Sequence, residues 1–277
     1  MRGCVAVLVV LGFAGCGGGG GGEDVDAAAL VDAAVVVDAA AVDVMAPVVD
    51  GAAVDGSPVQ LTAILGTLTA TCPALTAELG APGPSLIIDD LDFVSGEQYV
   101  RTELSAGGQR IFDTPNAGGS STESEVMSFE VLHHCDGALI YKTETEILYA
   151  PPDDAGASSI TDLEVTIAGD KYGVSVTRVF RPTATGPTDL ETLDLLTRKL
   201  DGVVRSSQRV LAADRWRKQI LHVFTPNAAG VAQIMRVLPQ IPTATRADTI
   251  VLVTRTSGGG FIYCNPDPAL GMECPFI

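Results

Sequence analysis

The chain has 277 residues, 47% hydrophobic and 18% charged, with a formal net charge of −17. That acidity argues against nucleic acid as a partner, because phosphate contacts need a basic face. The 219 residues that follow position 58 suffice for one large domain or two small ones, and they still carry 26 acids against 16 bases.

Arg2 precedes an apolar run from Val5 to Phe13, then Ala14-Gly15, Cys16 and six glycines, Gly17 to Gly22. A positive start, a short apolar core and small residues at its end mark a targeting segment. The core falls far short of the roughly 18–20 apolar residues that span a bilayer. The stretch resembles the lipobox of bacterial lipoproteins, in which a signal peptide (here 1–15) is removed and the following cysteine carries lipid. The resemblance implies an exported protein anchored to the cell envelope by acyl chains such as palmitate on Cys16. Its first partner is then the membrane, through that lipid. Gly17 is not the aspartate that can mark inner-membrane retention, so the resemblance implies the outer membrane.

Glu23 to Pro58 is low-complexity Asp, Ala and Val, with eight acids and no Lys or Arg. Asp26, Asp32 and Asp38 recur every six residues, about 120° apart on a helix, so no face is left to bury. With Cys16 and the glycines, this segment (16–58) reads as a disordered acidic tether. The 42 residues from Gly17 to Pro58 span on the order of 35–40 Å as a coil.

The folded part, 59–277, reads as α+β, antiparallel and β-rich, with one long amphipathic helix. Val59 to Ala70 reads as a strand in preference to a short helix, and Leu86 to Phe93 as a short strand entering an acidic turn. Tyr99 to Ser105 and Gln109 to Phe112 flank Ala106-Gly107-Gly108, a hairpin signal. Glu125 to Tyr149 alternates Met127, Phe129, Val131, His133 and Cys135 before Asp136-Gly137, then Leu139, Tyr141, Thr143, Thr145 and Ile147. That pattern predicts a hairpin with a three-residue loop, Asp136 to Ala138, since a one-residue slip sends one set to solvent. Ile160 to Val179 predicts a second hairpin around Gly169-Asp170, pairing Ile167 with Tyr172, Val165 with Val174 and Leu163 with Val176.

Thr188 to Leu211 predicts the helix. Thr188 and Glu191 form a capping box, and Leu190, Leu193, Leu196, Leu200, Val203, Val204 and Leu211 make an apolar stripe. Arg217 to Phe224 reads as a strand, and Val231 to Leu238 as strand or helix. Ile250 to Thr256 and Phe261 to Cys264 predict a last hairpin across Ser257-Gly258-Gly259-Gly260.

Cys4 leaves with the signal, which leaves Cys72, Cys135, Cys264 and Cys274. An even count in an exported chain reads as two disulfides. Cys264 and Cys274 enclose a turn-rich loop and pair with each other, and Cys72–Cys135 follows by elimination. No two of them have zinc-site spacing. Thr114-Pro115-Asn116-Ala117 recurs 111 residues later as Thr225-Pro226-Asn227-Ala228. Two related units, 59–169 and 170–277, are therefore one reading, and a single continuous domain is the other.

Recognisable catalytic motifs are missing: there is no G-x-S-x-G, H-E-x-x-H, S-x-x-K or phosphate-binding glycine loop. His133 and His134 are adjacent, and with His222 they read as structural. No cofactor or metal site is expected, and Asp89, Asp90 and Asp92 read as a water-exposed acidic turn. Arg198 to Lys218 holds seven bases (Arg198, Lys199, Arg205, Arg209, Arg215, Arg217, Lys218), two acids and the only tryptophan, Trp216. Such a face suits anionic headgroups or an acidic envelope polymer, although a solvated helix face explains it too. The function that follows is a non-catalytic binding or scaffolding module at the envelope, its partner an unknown envelope protein, polymer or lipid. A small-ligand or lipid carrier and a secreted hydrolase with dispersed residues are the alternatives.

Overall fold

The computed structural model describes residues 59–62, 66–93, 101–116, 122–151, 159–183 and 185–264. The signal, Cys16, the tether and Cys274 lie outside the described residues.

Eight strands make one sheet: β1 Val59–Thr62, β2 Gly66–Thr69, β3 Ser85–Asp92, β4 Leu139–Thr143, β5 Leu163–Ile167, β6 Asp170–Arg178, β7 Lys218–Thr225 and β8 Ile250–Ser257. Their order is β1-β2-β3-β8-β7-β6-β5-β4. The helices are α1 Thr76–Gly80, α2 Ala106–Asp113, α3 Thr122–Asp136, α4 Asp189–Arg209, α5 Ala228–Val237 and α6 Thr243–Arg246.

The α+β class stands, and the antiparallel pairing holds only at the two edges. β3, β8, β7 and β6 run parallel in the centre, while β1–β2–β3 and β4–β5–β6 pair antiparallel. The parallel centre follows from the chain order β6–α4–β7–α5–β8, because each helix returns the chain to the same end of the sheet. Parallel strands covered on both faces read as continuous apolar runs. Accordingly every residue of β7 is buried, as are Ile250, Val251, Leu252 and Val253 of β8.

Each face of the sheet has its own core. Leu196 and Leu200 of α4 and Ile234 and Val237 of α5 pack on Leu221, Val223, Val251 and Val253. Met127, Phe129, Val131 and Leu132 of α3 share the other core with Leu91, Leu163, Val174, Ile220, Phe224 and Leu252. Full burial of each such Leu or Phe side chain stabilises by about 1.5–3 kcal/mol. The α4 helix and its capping box are as predicted: Thr188 Oγ1 accepts from the Glu191 amide and the Glu191 carboxylate accepts from the Thr188 amide. The stripe is shorter than read, since Leu190 is exposed and Leu211 is exposed beyond the helix end. The Cys72–Cys135 disulfide is present and ties the segment before α1 to the end of α3. The Cys264–Cys274 pairing involves Cys274, outside the described residues.

Several expectations need correction. Val59 to Ala70 is two short strands, β1 and β2, rather than one. The first predicted hairpin is helix α2: Ser105 is its N-cap, accepting from the Gly108 amide at 3.1 Å. Gly107 there meets the Phe129 ring of α3 so closely that a Cβ would overlap it. Those glycines serve close helix packing rather than a turn.

The first half of the Glu125–Tyr149 hairpin is α3. Ten of its fifteen residues are buried, so it has no wet face and no helical stripe. Its end is an αL cap: Gly137, at φ +67°, turns its amide onto His133 O, and the Ala138 amide bonds Leu132 O. Asp136-Gly137 stops a helix instead of turning a hairpin.

The Ile160–Val179 hairpin forms with a register displaced by two residues. Leu163 faces Val174, Val165 faces Tyr172 and Ile167 faces Asp170. The turn residues are Ala168 and Gly169, both at positive φ, as a type I′ turn requires. A shift of two keeps every side chain on its expected face. Val231 to Leu238 resolves as helix, within α5, and Phe261 to Cys264 is a 3₁₀ turn beside β8 rather than its partner strand.

The duplication finds no support in the fold. At the offset of 111 residues, β3 meets α4 and α2 meets β7. The dividing point between 169 and 170 lies in the β5–β6 turn, inside one sheet. Thr114 of the first motif ends α2, whereas the second motif ends β7 and caps α5.

Candidate functional site

A cleft of about 410 Å³ opens beyond the carboxyl ends of β6 and β7. Three stretches build it: the loop after β6, the Thr225-Pro226-Asn227 turn after β7, and one side of α5, from Ala229 in its first turn to Arg236 in its last. β6 ends where the Val179 amide bonds Phe224 O at 2.8 Å. The loop then folds on itself through the Gly186 amide to Thr183 O at 3.1 Å, with Gly186 at φ +64°. Pro226 cannot extend the strand ladder, and Asn227 N-caps α5 by accepting from the Gly230 amide at 2.9 Å.

The walls are cross-braced. Gln233 Nε2 donates to Pro187 O at 2.8 Å and to Asp189 Oδ1 at 3.0 Å. Arg236 pairs with Asp189 at 2.8 Å and Arg181 with Glu191 at 2.6 Å. The Arg236 and Gln233 hydrogen bonds hold the Asp189 carboxyl below its ordinary range. Bonds from the Thr188 amide and hydroxyl do the same for Glu191, with Arg181 adding to them.

Two features of the lining set its chemistry. It includes Arg181 and Arg236 but no Asp, Glu, His, Lys or Cys, in a chain of net charge −17. Thr225 is fully buried and its Oγ1 has no hydrogen-bond partner. That oxygen faces the first turn of α5, where a Cβ on Gly230 would stand 1.8 Å away. The cleft thus offers cationic and neutral donors, and no carboxylate or imidazole lines it.

The basic segment read from the sequence does not form one surface. Arg198 pairs with Asp194 and Arg205 with Asp201, each one helical turn away, and Arg217 pairs with Asp170. Arg209 donates to Ala150 O and Ser159 O and lies over the Tyr149 ring. Trp216 is turned inward: it is 7% exposed, packs with Ile147, Tyr149 and Val210, and donates to Ser207 Oγ. Gly173 beneath the indole leaves the room it needs. Lys218 is 4% exposed, its Nζ donating to Glu78 O, Ala81 O and Gly83 O at the end of α1. Arg215 and Lys199 are the exposed remainder. Membership in one sequence window said nothing about which way each base points.

The histidines lie away from the cleft. His133 Nδ1 bonds Ala138 O, and His134 Nε2 meets Glu130. His222 sits fully buried between Ser128 Oγ at 2.8 Å and Thr254 Oγ1 at 2.7 Å. Burial pushes its imidazole down to about 3, so it stays neutral. Asp89 stands beside Thr254 in the β3–β8 register. It is buried rather than water-exposed, and burial raises its carboxyl to about 7. Among the described residues no group of three or more His, Cys, Asp or Glu is arranged to hold a metal.

The sequence did hold one signal for the cleft. The second Thr-Pro-Asn-Ala has a strand-stopping proline followed by an N-cap residue, the pattern of a strand-to-helix turn.

No protein-family model matches the chain, and no solved structure matches it. It is similar to the AAC-rich mRNA clone AAC4 protein of Dictyostelium discoideum, 42% identical over 167 residues and covering 58% of this chain. The chain spans 24% of that relative's length.

Proposed function

We propose that this chain is a tethered, non-catalytic binding module of the cell envelope. Lipid on Cys16 anchors it at the outer membrane, the tether to Pro58 confines the folded part near the surface, and the cleft takes a small ligand. Confinement by a tether raises the effective concentration of the domain near its target. The observation that carries the reading is the cleft's position. In open α/β sheets ligands bind outside the carboxyl ends of the strands, characteristically where neighbouring crossovers leave on opposite faces. This cleft lies outside the carboxyl ends of β6 and β7, although the following helices α4 and α5 share one face, and it is braced on both walls with no carboxylate or imidazole in its lining. The carrier alternative has less support, because α4 packs directly on the sheet through Leu196 and Leu200.

Two measurements test it. Cells expressing the tagged chain and fed an alkyne fatty acid show label on the wild type, which sediments with membranes; Cys16→Ser loses both. An unlabelled, soluble wild type removes the anchor. For the cleft, protein extracted in mild detergent retains a small molecule in native mass spectrometry, and Ala229→Trp, which fills the cleft wall, sheds it. Equal retention by a folded Ala229→Trp protein removes the cleft as the binding site.

A further inference from the structure

We infer that the cleft recognises its ligand through an oxyanion, a phosphate or a carboxylate, seated at the N-terminus of α5 with Thr225 as a buried donor and Arg181 and Arg236 at the rim. The inference rests on the cleft being the ligand site and adds the chemistry of the ligand.

Three independent observations converge. First, α5 is a ten-residue helix whose N-terminus lines the cleft. Asn227 satisfies the Gly230 amide, whereas the amides of Ala228 and Ala229 have no intrahelical acceptor. The positive end of the helix dipole lies at the same place and favours an anion.

Second, Thr225 carries a hydroxyl that is fully buried and unpartnered. Buried polar groups in folded proteins nearly always have a partner, and an exception asks for an explanation. Thr225 Oγ1 lies at the first turn of α5, in the place that a Gly230 side chain would take. A hydroxyl donates one hydrogen bond, and an oxyanion drawn to the helix end supplies the acceptor that this one lacks.

Third, the lining is cationic in an acidic protein. Arg181 and Arg236 are its only charged residues. Their carboxylate partners, Glu191 and Asp189, belong to α4 and do not line the cleft. Each pair holds its guanidinium at the rim while leaving donors to spare, since arginine has five.

The test uses the full chain in detergent and titration calorimetry with inorganic phosphate and, separately, acetate. One site is expected, in the millimolar range, weakened as salt rises. Thr225→Val keeps the volume and removes the hydroxyl. It is expected to weaken the bound anion roughly tenfold, about 1.4 kcal/mol, with a urea midpoint equal to or above that of the wild type. Arg181→Gln and Arg236→Gln each weaken it several-fold. Preference for phosphate assigns a phosphorylated ligand, and preference for acetate a carboxylic acid. Absence of binding by either anion, or equal binding by wild type and Thr225→Val, overturns the inference. A retained ligand shed by Ala229→Trp, with neither anion binding, leaves the cleft as a binding site and removes only its anionic character.

Discussion

Asp89→Asn is the sharpest probe of the interior. Asp89 is 3% exposed, and no hydrogen bond of good geometry reaches either carboxylate oxygen. Burial is the main cause that raises its carboxyl from 3.8 to about 7; the nearby Thr254 hydroxyl opposes the rise weakly, and Asp136 and Asp90 add to it. Between those two values the folded state holds a proton that the unfolded chain has released. The native state therefore binds more protons, and stability falls as pH rises. Each pH unit corresponds to about 1.4 kcal/mol, so the interval amounts to about 4 kcal/mol, lost between pH 4 and 7 and flat above. Asparagine has the same shape and does not ionise. Relative to wild type, Asp89→Asn should gain about 3–4 kcal/mol in passing from pH 4 to pH 8. At the acid end it should be equal or slightly weaker. Urea unfolding at pH 4, 5, 6, 7 and 8, with the disulfides intact, reads the difference. Asp136 and Asp162, raised to about 6 and about 7 by burial, are present in both proteins and largely cancel. Parallel pH profiles for the two proteins would refute the reasoning, because they would mean that Asp89 is solvated or paired in the folded state.

Two further perturbations address the scaffold. Lys218→Met removes a buried ammonium that satisfies three carbonyls at the end of α1. Hydrogen bonds to charged groups contribute about 1.5–3 kcal/mol each before non-additivity, so the loss should be about 3 kcal/mol by urea unfolding; a change under about 0.5 kcal/mol, the size of a surface substitution, would show that the ammonium reaches water. Reduction of Cys72–Cys135, which joins positions 63 residues apart, should lower stability by about 2–4 kcal/mol. The paired Cys72→Ala, Cys135→Ala protein should match the reduced chain within about 1 kcal/mol, and a wild-type midpoint insensitive to reductant would contradict that.

Elements with local signals were legible. The α4 helix has its capping box at Thr188–Glu191 and an apolar stripe with one wet face. The β5–β6 hairpin has alternation and a turn, although the turn fell one residue earlier than read. α3 was illegible for the opposite reason. It is covered on nearly all sides, with Glu125, Ser128 and Glu130 buried among apolar neighbours, so the contrast that periodicity needs is missing. Its left-handed C-terminal glycine, Gly137, was the one available signal and it imitates a hairpin turn.

The charged window from Arg198 to Lys218 shows the limit of composition. Seven bases near one another in sequence became i,i+4 pairs, a clamp on α1 and an inward tryptophan, because orientation depends on partners such as Asp170 and Glu78 that lie far away in the chain. The cleft is of the same kind. Thr225, Arg181 and Arg236 meet only because β6 and β7 end side by side.

By itself, the sequence determined the α+β class, the long helix and the Cys72–Cys135 bridge. The class and the helix are short-range patterns, and the bridge followed from the count of cysteines rather than from any local pattern. Tertiary structure alone decided that β3 lies beside β8, that the central strands run parallel, that Lys218 and Trp216 face inward, and that a cationic cleft forms in an acidic protein. Those outcomes depend on which surfaces exclude water together, and burial is a property of the assembled layers rather than of any one segment.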